Sequence, residues 1–445
     1  MKTFLTRLFC LLICLPSAAS HAGVAIQHWI APSGARVYFV ASPALPMLDV
    51  QIDFAAGSLF ASAEKAGLAG LTLGLLDAGA QLGEQQLDEE QIAARLADVG
   101  ARLANSVDHD RASLSLRTLS SKPEREVAIA LLRAVLAAPS YPEAALVREK
   151  ARHIAAIREA ATQPETIASK RFAQAIYPGH PYGVNASADS VSGLARDDLL
   201  SFWREHYAAR RATVSIIGAV TRAEAEAIAN QLTEALPQVA AGDAAPAGAT
   251  TSLPTVTLPQ RQVIRLPHPA TQSHILIGMP AVRRGDPDYF PLLVGNYVLG
   301  GGGFVSRLMQ EVREKRGYAY GVHSYFSPRL QPGPFEIGVQ TKRAQSGAAI
   351  KLIETLLDEF LKNGPTPKEL KAAKQNLVDG QALRVDSNAK ILTYLSLIGF
   401  YGLPLDYLEQ FPRRVEAVTP QQVREAFARH VQPEHLVTVI VATDE

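Results

Sequence analysis

Two side chains stand out as donors for carbonyl chemistry. They are Arg313 and Tyr320, within Leu299–Tyr325, LGGGGFVSRLMQEVREKRGYAYGVHSY. A guanidinium and a phenol hydroxyl can both be aimed at a carbonyl oxygen as it gains charge, and losing one such donor typically costs about 10²–10³ in rate. By spacing alone the pair reads as one helix charge and one strand aromatic. The glycines before them, Gly300–Gly303, are not a phosphate-cradling loop, because no Gly-Lys-Ser/Thr follows. They suit a helix end and a turn. Glu149 and His153 lie one helical turn apart in REKARH and could hold a metal weakly, but no third ligand is identifiable nearby. The bland reading is an exposed charge pair. No H-x-x-E-H, H-x-x-x-H or G-x-S-x-G occurs anywhere, and the Ser, His and Asp residues form no recognisable arrangement.

The stretch Glu64–Ala80, EKAGLAGLTLGLLDAGA, resembles the first active-site helix of the M16 (pitrilysin/insulinase) metallopeptidases, in which G-L-A-H-x-x-E-H leads into an apolar turn. The resemblance places Gly70 and Gly74 where the family has its two zinc-binding histidines. Leu73 stands where the family has its general-base glutamate, and Glu149 falls about where it has the third zinc ligand. Glycine and leucine supply neither a metal donor nor a base. Two glycines in a helix also cost about 1 kcal/mol each relative to alanine. The wall near Gly70, Leu73 and Gly74 is therefore expected to be smooth and apolar. Leu299–Tyr325 resembles the family's second-domain signature of a Gly-rich turn, S-R-L, R-E-K and G-x-A-Y. In the family an arginine and a tyrosine of this segment reach across to the catalytic half, hold substrate and stabilise the oxyanion. The matching residues are Arg313 and Tyr320, and Gly301, Gly302 and Gly303 would then border the substrate path.

The resemblance implies a non-catalytic subunit that binds no metal itself and pairs with an H-x-x-E-H-bearing subunit. That partner would supply the zinc, and peptides would be the substrate. The alternative, from another class, is a peptide-binding or scaffold protein with the same fold and no catalysis.

The elements that must position these residues come in two similar sets. Leu236–Pro259, rich in Pro, Ala, Gly and Thr, reads as an extended linker. Each half opens with strand-like segments, Val37–Val40 and Leu48–Phe54 in the first, Val263–Leu266 and His274–Met279 in the second. Alternation returns at Ala112–Leu119 and Phe335–Gln340. At a constant offset of 224, Leu146 meets Leu370, Tyr177 meets Tyr401, His206 meets His430, and Thr213–Gly218 meets Val437–Ala442. Helices are expected at Glu143–Ala161, Asp197–Tyr207 and Pro420–Val431. The expected fold is α+β, with two homologous sandwich domains, each a mainly antiparallel sheet with helices on one face. Their boundaries are 23–235 and 263–445, joined by a linker over 236–262. The resemblance to M16 domains, which covers nearly the whole chain after residue 22, implies the same.

Residues 1–22 read as a secretory signal: Lys2 and Arg7 precede the apolar run Leu8–Leu15, and Ser20-His21-Ala22 suits cleavage. Both cysteines, Cys10 and Cys14, lie within it, so the mature chain would have neither disulfides nor thiolate metal sites. Beyond residue 22 the chain has 42 basic and 43 acidic residues, with no polybasic run. Nucleic acid and anionic membrane surfaces are unsuited partners, and no integral membrane segment is expected after cleavage. The signal segment, cleaved near Ala22, together with this composition points to a periplasmic or secreted protein.

Overall fold

The computed structural model describes residues 24–238 and 253–442. The signal segment 1–22 and residues 239–252 of the linker lie outside the described residues. In the first half the elements run β1 (Gln27–Ile30), β2 (Arg36–Ala41), β3 (Met47–Phe54), α1 (Leu68–Gly74), β4 (Gly79–Leu82), β5 (Gln85–Asp88), α2 (Glu89–Asp98), β6 (Arg102–Val107) and β7 (Ala112–Leu119). There follow α3 (Lys122–Ala137), α4 (Glu143–Ala160), α5 (Pro164–Ile176), α6 (Ala188–Ser192), α7 (Arg196–His206), β8 (Thr213–Gly218) and α8 (Arg222–Thr233). The second half runs β9 (Gln262–Leu266), β10 (Gln272–Val282), α9 (Tyr289–Asn296), β11 (Ala319–Phe326) and β12 (Gly333–Lys342). It closes with α10 (Ser346–Asn363), α11 (Pro367–Asp379), α12 (Asn388–Tyr401), α13 (Tyr407–Ala417), α14 (Pro420–His430) and β13 (Val437–Val441).

The halves repeat one topology. The first sheet is ordered β1-β2-β8-β3-β7-β6 and the second β11-β12-β10-β13-β9. Without β1, the two orders coincide when one is read backwards. In each sheet one pair is parallel, β2 with β8 and β9 with β13, and the other pairings are antiparallel. The offset of 224 separates the first residues of α3 and α10, α4 and α11, α5 and α12, α7 and α14, and β8 and β13. It therefore holds over more of the chain than the residue matches alone suggest. One start differs from expectation: α7 begins at Arg196 with Ala195 as its cap, because the Asp198 carboxylate turns back to accept from the Ala195 N–H at 2.9 Å.

Each sheet packs one face on its own helices and also receives a helix from the other half. Helix α12 lies on β8, β3 and β2 of the first sheet. Its Leu392, Leu395 and Ile398 share a buried cluster with Tyr38, Val40 and Ile217. Helix α5 lies on β13 and β10 of the second sheet, where Ala168, Phe172 and Ile176 join Val437, Val439 and Val441. The sequence bears the marks of this exchange. β2 (RVYFVA) and β13 (VTVIV) are apolar on both faces, as strands covered on both sides are. The α12 segment is apolar nearly all round, as a helix between two layers must be. Gly399 lets α12 seat closely, since a Cβ there would stand 2.6 Å from Thr213 Cγ2 and 2.7 Å from the Tyr38 ring.

The exchanged helices end alike. Tyr177, capping α5, donates to Pro332 O at 3.0 Å in the β11–β12 turn. Tyr401, closing α12, donates to Asp110 Oδ2 at 2.8 Å in the β6–β7 turn. Asp110, 1% exposed, also accepts from Tyr182 Oη at 2.5 Å and from the Leu330 N–H at 2.9 Å. Burial pushes its carboxyl pKa up, while the three donors favour the charged form.

Phe172 and Phe400 are buried where the halves meet. Truncating either, Phe172→Ala or Phe400→Ala, is expected to cost about 3–5 kcal/mol. Urea denaturation should show one transition shifted for both halves together, rather than one half unfolding first.

Candidate functional site

The helix α1 is short and is preceded by Gly67 at its cap, whose φ of 102° places it in the left-handed region that glycine tolerates. Leu68, Leu71 and Leu73 anchor it in the first-half core. Leu73 is 2% exposed and packed inward, so it forms no part of the smooth wall expected of it. Gly70 does line a pocket of 300 Å³, with Ala66, Ala69, Val107 and Ala186 among its apolar neighbours and Ser58, Asp108 and His109 at its polar end. Gly74 faces open space. None of the three carries a donor atom on its side chain.

Glu149, in α4, is held by arginines. Arg152 bonds it through both Nε and Nη2, and Arg148 Nε lies 3.6 Å away. His153 has its pKa lowered by burial first and then by Arg152. Among the described residues the one three-ligand group able to hold a metal lies elsewhere, at Asp286, Asp288 and His430. There Arg429 already forks onto Asp288 with two 2.8 Å bonds and supplies the cation.

Between α9 and β11 the chain makes two π-helical turns, Tyr297–Gly301 and Met309–Lys315, a geometry that often marks functional sites. Packing accounts for most of the glycines here. A Cβ on Gly300 would meet Ser324 Oγ at 2.5 Å, on Gly301 Asn296 Nδ2 at 2.6 Å, and on Gly302 Tyr297 O at 2.5 Å. Gly303 adopts a φ of 61° with open space around it. Arg313 sits in the second π turn. Tyr320 sits on β11, an edge strand, where the pairing register slips between Ala319 and Val322. Such a bulge re-aims side chains, and Tyr320 stands 87% exposed.

The structure brings Arg313 and Tyr320 together. The guanidinium carbon lies 4.7 Å from the centre of the Tyr320 ring and 4.6 Å from that of Phe304, with Glu314 Oε1 3.3 Å from Nε. Two ring faces hold the guanidinium in place without consuming its N–H donors. Phe304 is the residue that sequence reasoning missed. Its neighbour Val305 is 66% exposed, so an apolar patch surrounds the pair. Tyr320 also borders a cleft of 730 Å³ along β10, β11 and β12, with Glu165 and Ser169 of α5 on its far side. That cleft and the pocket beside Gly70 share no lining residue. Neither Arg313 nor Tyr320 lines the pocket beside Gly70.

A crystal structure described as a peptidase M16 inactive domain from Pseudomonas fluorescens superposes with a TM-score of 0.87 at 35% identity, over 95% of this chain and 98% of that one. The chain belongs to the M16 peptidase family. Residues 193–377 match the family model described as the peptidase M16 inactive domain. A Helicobacter pylori protein named as a non-peptidase homolog is 23% identical over 89% of each chain. An uncharacterized zinc protease of Streptomyces coelicolor is 28% identical, but the match spans 58% of this M16 chain and only 56% of that protein. The periplasmic protease PqqL of Escherichia coli shares the fold, with a TM-score of 0.77 at 15% identity over 45% of its own length. No helix among the described residues of this M16 chain is long and apolar enough to cross a membrane.

His109 and His206 are both pushed down to about 4, chiefly by burial. The unfolded chain, with histidines near 6.5, takes up protons first as pH falls. Stability should be level above about pH 6.5 and fall between there and about pH 4, which urea midpoints at pH 7 and pH 5 would reveal. A Cβ placed on Gly70 would have no foreign heavy atom nearer than 4.0 Å. Gly70→Ala should therefore be accepted, with a gain of up to about 1 kcal/mol in thermal unfolding.

Proposed function

We propose that this chain is the non-catalytic half of a split M16 zinc peptidase. It pairs, in the periplasm or outside the cell, with a subunit carrying H-x-x-E-H. The partner holds the zinc, polarises the water and supplies the base. This chain contributes Arg313, Tyr320, the neighbouring Gly301–Gly303 turn and half of the chamber wall. The observation that carries the reading is the asymmetry between its two motifs. The metal positions have become Gly70, Leu73 and Gly74, while Arg313 and Tyr320 are kept and paired, with Tyr320 exposed and Arg313 half-buried. Their separation from the Gly70 pocket leaves them nothing catalytic to serve within the same chain. The exposed Phe304, Val305 and Tyr320 form an apolar patch of the kind that marks a contact surface. The periplasmic setting draws support from the signal-like residues 1–22 and from the fold shared with a periplasmic protease.

In the complex, Arg313 and Tyr320 act where charge develops on the scissile carbonyl oxygen. The rings of Phe304 and Tyr320 hold the guanidinium ready, so little reorganisation remains at the moment of reaction. The cleft along β11 suits an extended segment.

A second reading, a peptide-binding or scaffold protein without catalysis, is favoured by the name of the Helicobacter pylori relative and by the open cleft. The two readings differ in one experiment. With the H-x-x-E-H subunit present, Arg313→Ala or Tyr320→Phe should lower kcat for peptide hydrolysis by about 10²–10³ while the complex still co-elutes. Unchanged turnover in both substituted complexes would discard the split-peptidase reading. Failure to retain any H-x-x-E-H subunit would favour the binding protein.

A further inference from the structure

We propose that the cleft between the β6–β7 turn and residues 326–329 is an oxyanion-binding site, taking a carboxylate or phosphate group between the two halves of the chain. The cleft has a volume of 350 Å³ and is lined by Arg111, Arg284, Arg329, His109, Tyr289 and Tyr401, among others. Arg111 and His109 come from the first half, Arg284 and Arg329 from the second, and Tyr401 from the exchanged helix α12.

The three guanidinium groups are not equally satisfied. Arg111 is bonded to Asp108 Oδ2 at 3.1 Å and to Ser396 Oγ at 2.7 Å. Among the described residues Arg284 makes one side-chain hydrogen bond, to Pro328 O at 3.2 Å, and its buried Nε has no partner. Arg329 makes no side-chain hydrogen bond or ion pair among the described residues, and its Nη1 is buried without a partner. What surrounds these two cations is aromatic. Arg284 lies over Tyr401 and Tyr289 at 5.5 and 5.6 Å, and Arg329 over Tyr182 at 4.8 Å. Ring faces attract the charge but accept little from the N–H donors.

Two carboxylates, Asp108 and Asp110, line the cleft itself, and a third, Glu336, lies within electrostatic reach of Arg329 and accepts from Tyr325 Oη at 2.5 Å. Asp108 accepts from Arg111 and from the Asp110 and Arg111 N–H groups. Asp110 is filled by Tyr182, Tyr401 and Leu330. Among the described residues no carboxylate hydrogen-bonds or ion-pairs with Arg284 or Arg329, although Glu336 lies within electrostatic reach of Arg329. Two such guanidinium groups at one half-buried cleft are costly unless an anion answers them. A planar or tetrahedral oxyanion matches the fork of N–H donors that arginine presents. His109 is held largely neutral by burial and by the charge of Arg329. An anion in the cleft would offset that charge and favour its protonation. His109 and Asp108 also line the pocket beside Gly70, so the bound group would sit next to the former metal site.

The test is calorimetric titration of the full chain with sodium phosphate, sodium succinate, and one tripeptide in free-acid and C-terminally amidated forms, at constant ionic strength set with NaCl. Saturable binding near one per chain is expected, weakened about tenfold or more by Arg329→Gln and by Arg284→Gln. Binding of phosphate alone would identify the ligand as a phosphate. Binding of the free-acid peptide, but not its amide, would identify a carboxyl terminus. In the unsubstituted protein the His109 ring resonances should shift on saturation while those of His268 stay fixed, a readout that does not depend on the variants folding. No saturable binding by any of these anions, or wild-type affinity in both folded variants, would overturn the proposal.

Discussion

The structure depends on one reciprocal exchange: α5 leaves the first half to cover the second sheet, and α12 returns to cover the first. Neither sheet can bury both of its apolar faces with its own helices. Val437, Val439 and Val441 would face solvent without α5, and Tyr38, Val40 and Ile217 without α12. The hydrophobic term that drives folding is therefore shared across the two halves. The tyrosines that end the exchanged helices fix their position, each reaching the β-turn of the opposite half. The Asp110 tie then sets the β6–β7 turn against Leu330, and with it the relation between the Gly70 pocket and the second half.

Within that frame, the proposed absence of a zinc site asks for little structural change. Leu68, Leu71 and Leu73 keep α1 in the core, while Gly70 and Gly74 carry no side-chain donor. The segment from Asn296 to Tyr325 shows the opposite pattern. Its glycines are packed against neighbours too close to admit a Cβ at Gly300, Gly301 and Gly302, its backbone takes two π turns, and its arginine is held between two rings. These features hold side chains at the exposed edge strand β11.

Much of this is legible in the sequence. The offset of 224 links Tyr177 to Tyr401 and Thr213 to Val437, and those pairs are equivalent in the fold. The motif around Arg313 and Tyr320 indicates that they belong together, and they stack. The exchange itself is not legible, because a helix such as α12 carries no local sign of which sheet it will cover; the two-sided apolar character of β2 and β13 and the all-round apolar face of α12 hint only at a second layer. Motif position alone puts Leu73 on a wall, but core packing on a seven-residue helix decides its direction. Phe304 and the unpartnered Arg284 and Arg329 stay invisible in the sequence because their meaning lies in contacts across the chain.

The central claim is that this M16 chain works without metal of its own beside a subunit that has it. Metal analysis of the purified chain alone, and of the complex it forms with an H-x-x-E-H subunit, tests this most directly when paired with a peptide-hydrolysis assay on the same samples. The account predicts no stoichiometric zinc and no hydrolysis for the chain alone, and one zinc with chelator-sensitive hydrolysis for the complex. One zinc per chain, or hydrolysis by the chain alone, would contradict it.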